Sequence, residues 1–436
     1  MDVETTKFNG QSPKISRQSR LARAFLSVLL ALLLIGGMIE ASREAFAAWL
    51  AEKHSLAGIR RAQRWDPSNP EFPAEFARTL AASSPGVNPL DVVHPLELAA
   101  TLVPNRADTW ASLGGAFEAA EKIPDAGAAF LRALALFPRS PEINWEYANF
   151  LIRAGKAPEA LAPMRQAMIG DPTLRTGSFD LAWRAGIPSR QILQNIPDRQ
   201  DILSSYLDYL VLTNRLDAAQ GPWNRILEST EPIPLDAAFR YFDALLYARR
   251  IEPLTAMWRD LSRHEPEEIH SIQGSANLIM NANFADTPLN GGFDWRITPI
   301  EGAEIGYDAV TVHSGARSLA VHFDGTRNLE FGNIVQYVAV DPNTSYRFVV
   351  YARTQAITTG SGPRFAIYDA MDRKALSVES ENLLGTADWR EQNLEFRTGA
   401  ATRLLVIQIA RPQSHKLDNL LAGTLWLDDF SLTSIH

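Results

Sequence analysis

The chain has 436 residues, a net charge of −8 with histidine neutral, 46% hydrophobic residues and no cysteine. The length allows two to three domains, and the hydrophobic fraction excludes both a disordered chain and a polytopic transporter. The cysteine count removes disulfides, thiolate zinc sites, iron–sulfur clusters and cysteine nucleophiles. An acidic chain whose basic residues cluster only in its N-tail is no phosphate-backbone binder, so no nucleic-acid partner is expected.

The first element is an uncharged run, residues 24–39, AFLSVLLALLLIGGMI. It is apolar on every side, which argues for lipid rather than a soluble core. Sixteen residues rise about 24 Å, slightly short of a hydrocarbon core, and snorkelling of Arg23 and Glu40 extends the span. Lys7, Lys14, Arg17, Arg20 and Arg23 precede it, whereas Glu40, Arg43, Glu44, Glu52 and Lys53 follow. The positive-inside rule therefore places residues 1–23 in the cytoplasm and everything after residue 40 outside it. In a bacterial cell this means a single-pass inner-membrane protein with its bulk in the periplasm. The rival is a cleaved signal peptide using Ala45-Phe46-Ala47. The charged approach to that site favours a retained anchor.

Next comes an internal period. Pro104, Pro138 and Pro172 are spaced by 34 residues, as are Ala99, Ala133 and Ala167. Trp110, Leu113, Gly114 and Phe117 mark one face of a helix, and Ala126, Phe130 and Ala133 mark a second that stops at Pro138. This pattern resembles the tetratricopeptide repeat (TPR). Residues 107–140 match its Trp, Leu-Gly, Phe, Ala, Phe, Ala and Pro positions. Residues 141–174 match at Ala148, Ala160, Ala167 and Pro172 and depart at Trp145 and Met164. An upstream copy ends with Ala62 and Pro67, and degenerate copies carry Trp223 and Trp258. Residues 175–200 are irregular and read as a shortened helix pair. The expectation is an α-solenoid over 40–265 with a concave protein-binding groove. Trp110, Phe117 and Phe130 are packing residues. Asn144, Glu146, Asn149 and Arg153 are the candidates for contact with a protein partner.

A linker is expected over 266–276. Beyond it the texture changes to short alternating runs broken by Gly, Pro, Asn and Asp. Strands are predicted at 318–323, 333–340, 345–354, 364–370, 390–398, 403–411 and 424–432, the spacing of a β-sandwich. The ordered landmarks are an opening Asn-Phe, Gly315 with Ser318-Leu319, Gln336, Pro342 with Tyr346, Trp389 and a closing Asp-Asp-Phe-Ser-Leu. Residues 277–436 thereby resemble carbohydrate-binding modules of the family 4/9 type, galactose-binding-like β-jelly rolls. A sugar site needs aromatic faces and planar polar groups. Gln336, Tyr351, Arg353, Arg364, Tyr368 and Gln408 are the candidates, if their faces coincide. Strand propensity alone also explains the tyrosines. Trp295 and Trp389 read as core caps, and His313 and His322 as surface residues flanking a strand. The resemblance further implies a structural Ca²⁺, with Asp428, Asp429 and Asp286 at matching positions; no other cofactor is expected.

The fold class is thus multidomain α plus β: a transmembrane helix, an α-solenoid and an antiparallel jelly roll. No HExxH, G-x-S-x-G or Walker loop is present, and acidic pairs such as Glu267-Glu268 and Glu379 with Glu381 read as solvated, so a non-enzyme is expected. The architecture resembles accessory proteins of bacterial exopolysaccharide or O-antigen export. The expected role is a non-catalytic scaffold whose solenoid binds a protein and whose jelly roll binds polysaccharide or a partner. Two other readings are an enzyme subunit or degenerate glycosidase, and a protein whose domains both serve assembly alone.

Overall fold

The structure is a computed structural model describing residues 17–52, 54–83, 86–265, 269 and 276–435. The chain forms two compact units, Met1–Pro188 and Ser189–His436. The expected linker over 266–276 and the acidic pair Glu267-Glu268 lie almost wholly outside the described residues.

The first unit opens with one long helix, α1 (Arg17–Ala51), followed by α2 (Leu56–Trp65). The stretch Ala24–Ala51 is long and apolar enough to cross a membrane. Its far end belongs to the solenoid. Ala47 and Ala51 are buried with Ile59 and Ala62 of α2 and with Phe72 and Phe76 of α3 (Glu71–Ser83). Helix pairs then follow: α3 with α4 (Pro89–Leu102), α5 (Ala107–Ala119) with α6 (Ile123–Leu136), and α7 (Pro141–Arg153) with α8 (Ala157–Gly170). The 34-residue period and these pairs make the helices TPR-like. Gly114 shows why the period demands small residues. A β-carbon there would lie 2.9 Å from the Phe130 ring, so α5 and α6 could not close to their present spacing. Its equivalent Ala148 is fully buried, as are Ala133 and Ala167. Ion pairs staple successive repeats at nearly the same spacing, Arg106 to Glu71 and Arg153 to Glu118. The irregular stretch yields the short helix α9 (Arg175–Arg184).

The second unit begins with the seven-residue α10 (Ser189–Asn195). It continues with α11 (Gln200–Leu212), α12 (Leu216–Leu227), α13 (Leu235–Tyr247) and α14 (Ile251–His264). Two five-stranded antiparallel sheets follow. One has the order β1 (Arg296–Ile297), β4 (Phe331–Ala339), β9 (Leu404–Arg411), β6 (Arg364–Asp369), β7 (Ser377–Glu379). The other runs β2 (Ala303–Asp308), β3 (Ser318–Asp324), β10 (Ala422–Ile435), β5 (Ser345–Ile357), β8 (Gly385–Arg397). Alternate residues of both sheets, such as Ile334, Phe348, Val350, Ile367, Ile407 and Leu427, fill the core, as a sandwich requires. Trp295 is fully buried at one end, its ring 4.8 Å from Phe430 and 5.4 Å from Phe284. All seven predicted strands are present. The three missed ones are edge strands.

The last helices of this unit pack on the first sheet. Phe293 stands edge-on to Phe242 at 4.9 Å and to Trp258 at 5.5 Å. Gly292, at φ +57°, lies against the Trp258 ring, where no side chain fits. Arg296 pairs with Asp243 at 2.6 Å and stacks over Phe242 and Tyr337 at 5.7 and 5.5 Å. The β1–β4 edge is therefore covered by α13 and α14, and the β6–β9 half of that face remains accessible.

Candidate functional site

Two surfaces collect polar side chains over small or apolar floors. In the first unit a cavity of about 480 Å³ is floored by Ala74, Ala77, Gly115 and Ala116 and edged by Arg78, Asp108 and Thr109. A second, of about 410 Å³, is lined by Trp145, Glu146, Asn149, Arg153 and Glu118. Both include Ser112 and Gly115 of α5, so they form one groove along α3, α5 and α7. The floor consists of small residues because the repeat needs them to bring helices together.

The groove contains three of the four expected partner-binding residues. Glu146 is exposed at its mouth, yet partial desolvation by the walls, then the charges of Asp108 and Glu142, push its carboxyl above the ordinary value. Asn149 spends its amide N–H on the Trp145 carbonyl at 2.8 Å. Arg153 is held bidentately by Glu118 at 2.6 and 2.8 Å. Asn144 is different: only 3% exposed, it donates to the carbonyls of Pro138 and Ser140. Trp110, 34 residues earlier, donates in the same way to Pro104 at 3.0 Å. Asn144 thus occupies the conserved-geometry position of the repeat and is a structural residue, a correction the period itself would have supplied.

In the second unit, Arg364, Tyr368 and Gln408 lie together in a cavity of about 470 Å³ on the outer face of β4, β9 and β6, with Asn333, Arg373 and Glu379. The Arg373 guanidinium stacks over Tyr368 at 4.3 Å. Glu379 lies 3.2 Å from Arg364 and 3.8 Å from Arg373, so it is ion-paired, not merely solvated. Gln408 donates to the Gly332 carbonyl at 3.0 Å. Burial raises the Tyr368 hydroxyl pKa against the opposing pull of Arg373. Arg411 also lines the cavity, although it is fully buried. It donates to the carbonyls of Ser361, Leu329 and Asn419 and to Asn328 Oδ1. Burial alone lowers its pKa.

The other three expected sugar residues do not join this group. Gln336 points into the core, where its amide exchanges two hydrogen bonds with the Met280 backbone, at 3.1 and 2.9 Å. Tyr351 and Arg353 belong to β5 in the opposite sheet. The condition that their faces coincide is not met, because β5 lies in one sheet and β6 in the other. Tyr351 instead stacks on His313 at 3.7 Å, with Trp389 edge-on to His313 at 5.6 Å. Trp389 is half-buried on this outer face rather than a core cap. Arg353 pairs with Asp388 at 3.4 Å and lies over Trp426.

The carboxylates matched to calcium are otherwise engaged. Asp428 is fully buried and accepts backbone N–H bonds from His313, Ser314 and Asp429 at 2.9, 3.1 and 2.8 Å. Desolvation raises its pKa in spite of them. Asp429 binds His313 Nδ1 at 2.6 Å and Ser314 Oγ at 2.7 Å. Asp286 is exposed, and its backbone is tied to Asn281. N–H groups directed at the oxygens do not suit a cation, and no group of three or more His, Cys, Asp or Glu able to hold a metal occurs among the described residues. In this arrangement Asp428 and Asp429 spend their oxygens on N–H and O–H donors.

Comparison with solved structures finds likenesses of low identity to both halves. The MamA protein is 16% identical, over 41% of this chain and 96% of that one, with a TM-score of 0.32. A module solved as TmCBM61 with β-1,4-galactotriose is 16% identical, over 36% of this chain and 99% of that one, at 0.26. The enzymatically active domain of bacteriophage CBA120 tailspike protein 4 is 12% identical over 37% of this chain, at 0.28; the match spans only 22% of that chain. No family model and no curated protein matches. The layout is that of TPR proteins followed by a carbohydrate-binding-module-like jelly roll.

Proposed function

We propose that the chain is a non-catalytic scaffold anchored in the bacterial inner membrane, with its bulk in the periplasm. The solenoid groove holds an extended segment of a protein partner. The open half of the first sheet holds an envelope polysaccharide during its assembly or export. The observation that carries this reading is the cavity of Arg364, Tyr368, Arg373 and Gln408, a tyrosine ring among planar donors on an accessible strand face. Arg364 and Arg373 balance Glu330 and Glu379 in charge, so the cavity suits hydroxyl-rich glycans and those bearing carboxylates alike. Ion pairing of Glu379 to two guanidiniums disfavours the alternative of a glycosidase, which needs one carboxyl free as acid and another as base or nucleophile.

The test is binding of the full chain in detergent to arrays of acidic and neutral polysaccharides. Binding to a glycan of either kind that is lost in Arg364→Ala and Tyr368→Ala supports the reading. Absence of binding to every polysaccharide, or hydrolysis of any, defeats it.

A further inference from the structure

The junction of α1 and α2 carries exposed aromatic and basic side chains that the partner groove and the sugar cavity do not use. Gly58 lies against Leu50, and the Trp65 ring packs edge-on to Phe46 at 5.0 Å. Hence α2 turns back antiparallel along α1, and its C-terminal end returns toward the apolar run. Ile39, Ser42, Arg43, Phe46 and Trp65 line one shallow cavity there.

The level of this end follows from helix rise. About 20 residues cross a hydrocarbon core, and counted from Ala24 they end at Arg43, which pairs with Glu40 at 2.7 Å. Phe46 lies about 5 Å further, within the headgroup layer. Phe46, Trp49 and Trp65 are 41%, 55% and 50% exposed, and Phe46 and Trp49 stack at 5.7 Å. Exposed tryptophan at this depth suits a membrane interface. On α2, Arg61 stands one turn before Trp65 on its face, and Arg64 adjoins it. Both are exposed, and neither has an ion-pair partner among the described residues. Arg60 is turned away over Phe76 at 5.0 Å. The opposing charges are Glu44 on α1 and Glu52 just past its end.

We propose that this end of α2 is a lipid-binding surface. Phe46, Trp49 and Trp65 insert among the headgroups, and Arg61 and Arg64 bind the phosphates of anionic phospholipid, which seats the first repeat on the bilayer. The proposal rests on the anchor reading of α1. The chain has no cysteine, so single labels are clean.

The experiment places nitroxide labels at Leu32→Cys, Ser68→Cys and Leu131→Cys in the full chain, reconstituted into phosphatidylcholine vesicles with and without phosphatidylglycerol. The label at 68, just past the end of α2, should be shielded from a water-soluble relaxant relative to the one at 131, and more so with phosphatidylglycerol. Adding Arg61→Gln, which removes one positive charge, should weaken that extra shielding about fivefold in the anionic vesicles and leave the zwitterionic ones unchanged. A label at 68 as accessible as that at 131 overturns the proposal, and so does indifference to phosphatidylglycerol. A label at 32 open to the relaxant overturns the anchor itself, which separates the two failures.

Discussion

Asn144 and Trp110 are chemically unlike, yet each reaches the carbonyl of the proline six residues before it. A repeat conserves a hydrogen-bond task rather than a residue type. Asn144→Ala should cost about 1 kcal/mol in chemical denaturation with no change in partner binding, whereas Asn144→Gln recovers part of it. Asp428 is a stronger case. Asp428→Ala leaves the part-buried N–H groups of His313 and Ser314 without their acceptor and should cost about 1 kcal/mol for each. Addition of a calcium chelator to the unsubstituted chain should leave its melting temperature unchanged. Glu146 carries a pH signature. Its folded pKa is raised, so its contribution to stability is fully present below the unfolded value and is lost as pH rises through the folded one. Glu146→Gln should flatten that part of the stability–pH curve and leave the chain more stable at neutral pH. Arg364, Tyr368 and Gln408 were legible as polar residues on strands. That Gln336 shares a strand pattern with them but faces the core was not, because a buried glutamine looks the same in sequence until its partner, here the Met280 backbone, is known.

At the scale of elements, close packing between paired helices depends on Gly114. Gly114→Ala pushes a methyl into the Phe130 ring and should destabilise the first unit by about 1–3 kcal/mol. Phe130→Leu in that background should restore part of the loss, measured by denaturation followed by circular dichroism. The helix pairs were readable because small and large residues recur at one period. Strands β4 and β5 were readable because they alternate along their length, and β6 and β9 because they are short apolar runs bounded by turn residues. The two-residue β1 and three-residue β7 are too short to show a period, and β2 carries Glu304, Gly306 and Asp308 on its outward face, so β-propensity there is low. Sheet membership was not readable at all. Strands β5 and β6 are neighbours in sequence but lie in opposite sheets, and alternation says which residues share a strand face without saying which strands share a sheet.

For the whole molecule, protease added to intact spheroplasts should cut the solenoid and leave a protected N-terminal fragment. A protected solenoid would reverse the orientation. The division between α9 and α10 puts the later helices with the sandwich, a partition that composition could not reveal because helical texture runs on through it. Phe293, Gly292 and Arg296 hold that second unit as one body.

The unbroken course of α1 from Arg17 to Ala51 has a mechanical consequence. A protein tethered by a flexible linker explores a hemisphere above its membrane. On the proposed anchoring, a rod shared by the bilayer and the first repeat would act as a lever, and a pull on the proposed partner groove would become torque on α1. The adjacent Gly36 and Gly37, with no neighbouring side chain within 4 Å, are the compliant point of that lever. On that reading, bending there would tilt the first unit against the bilayer normal.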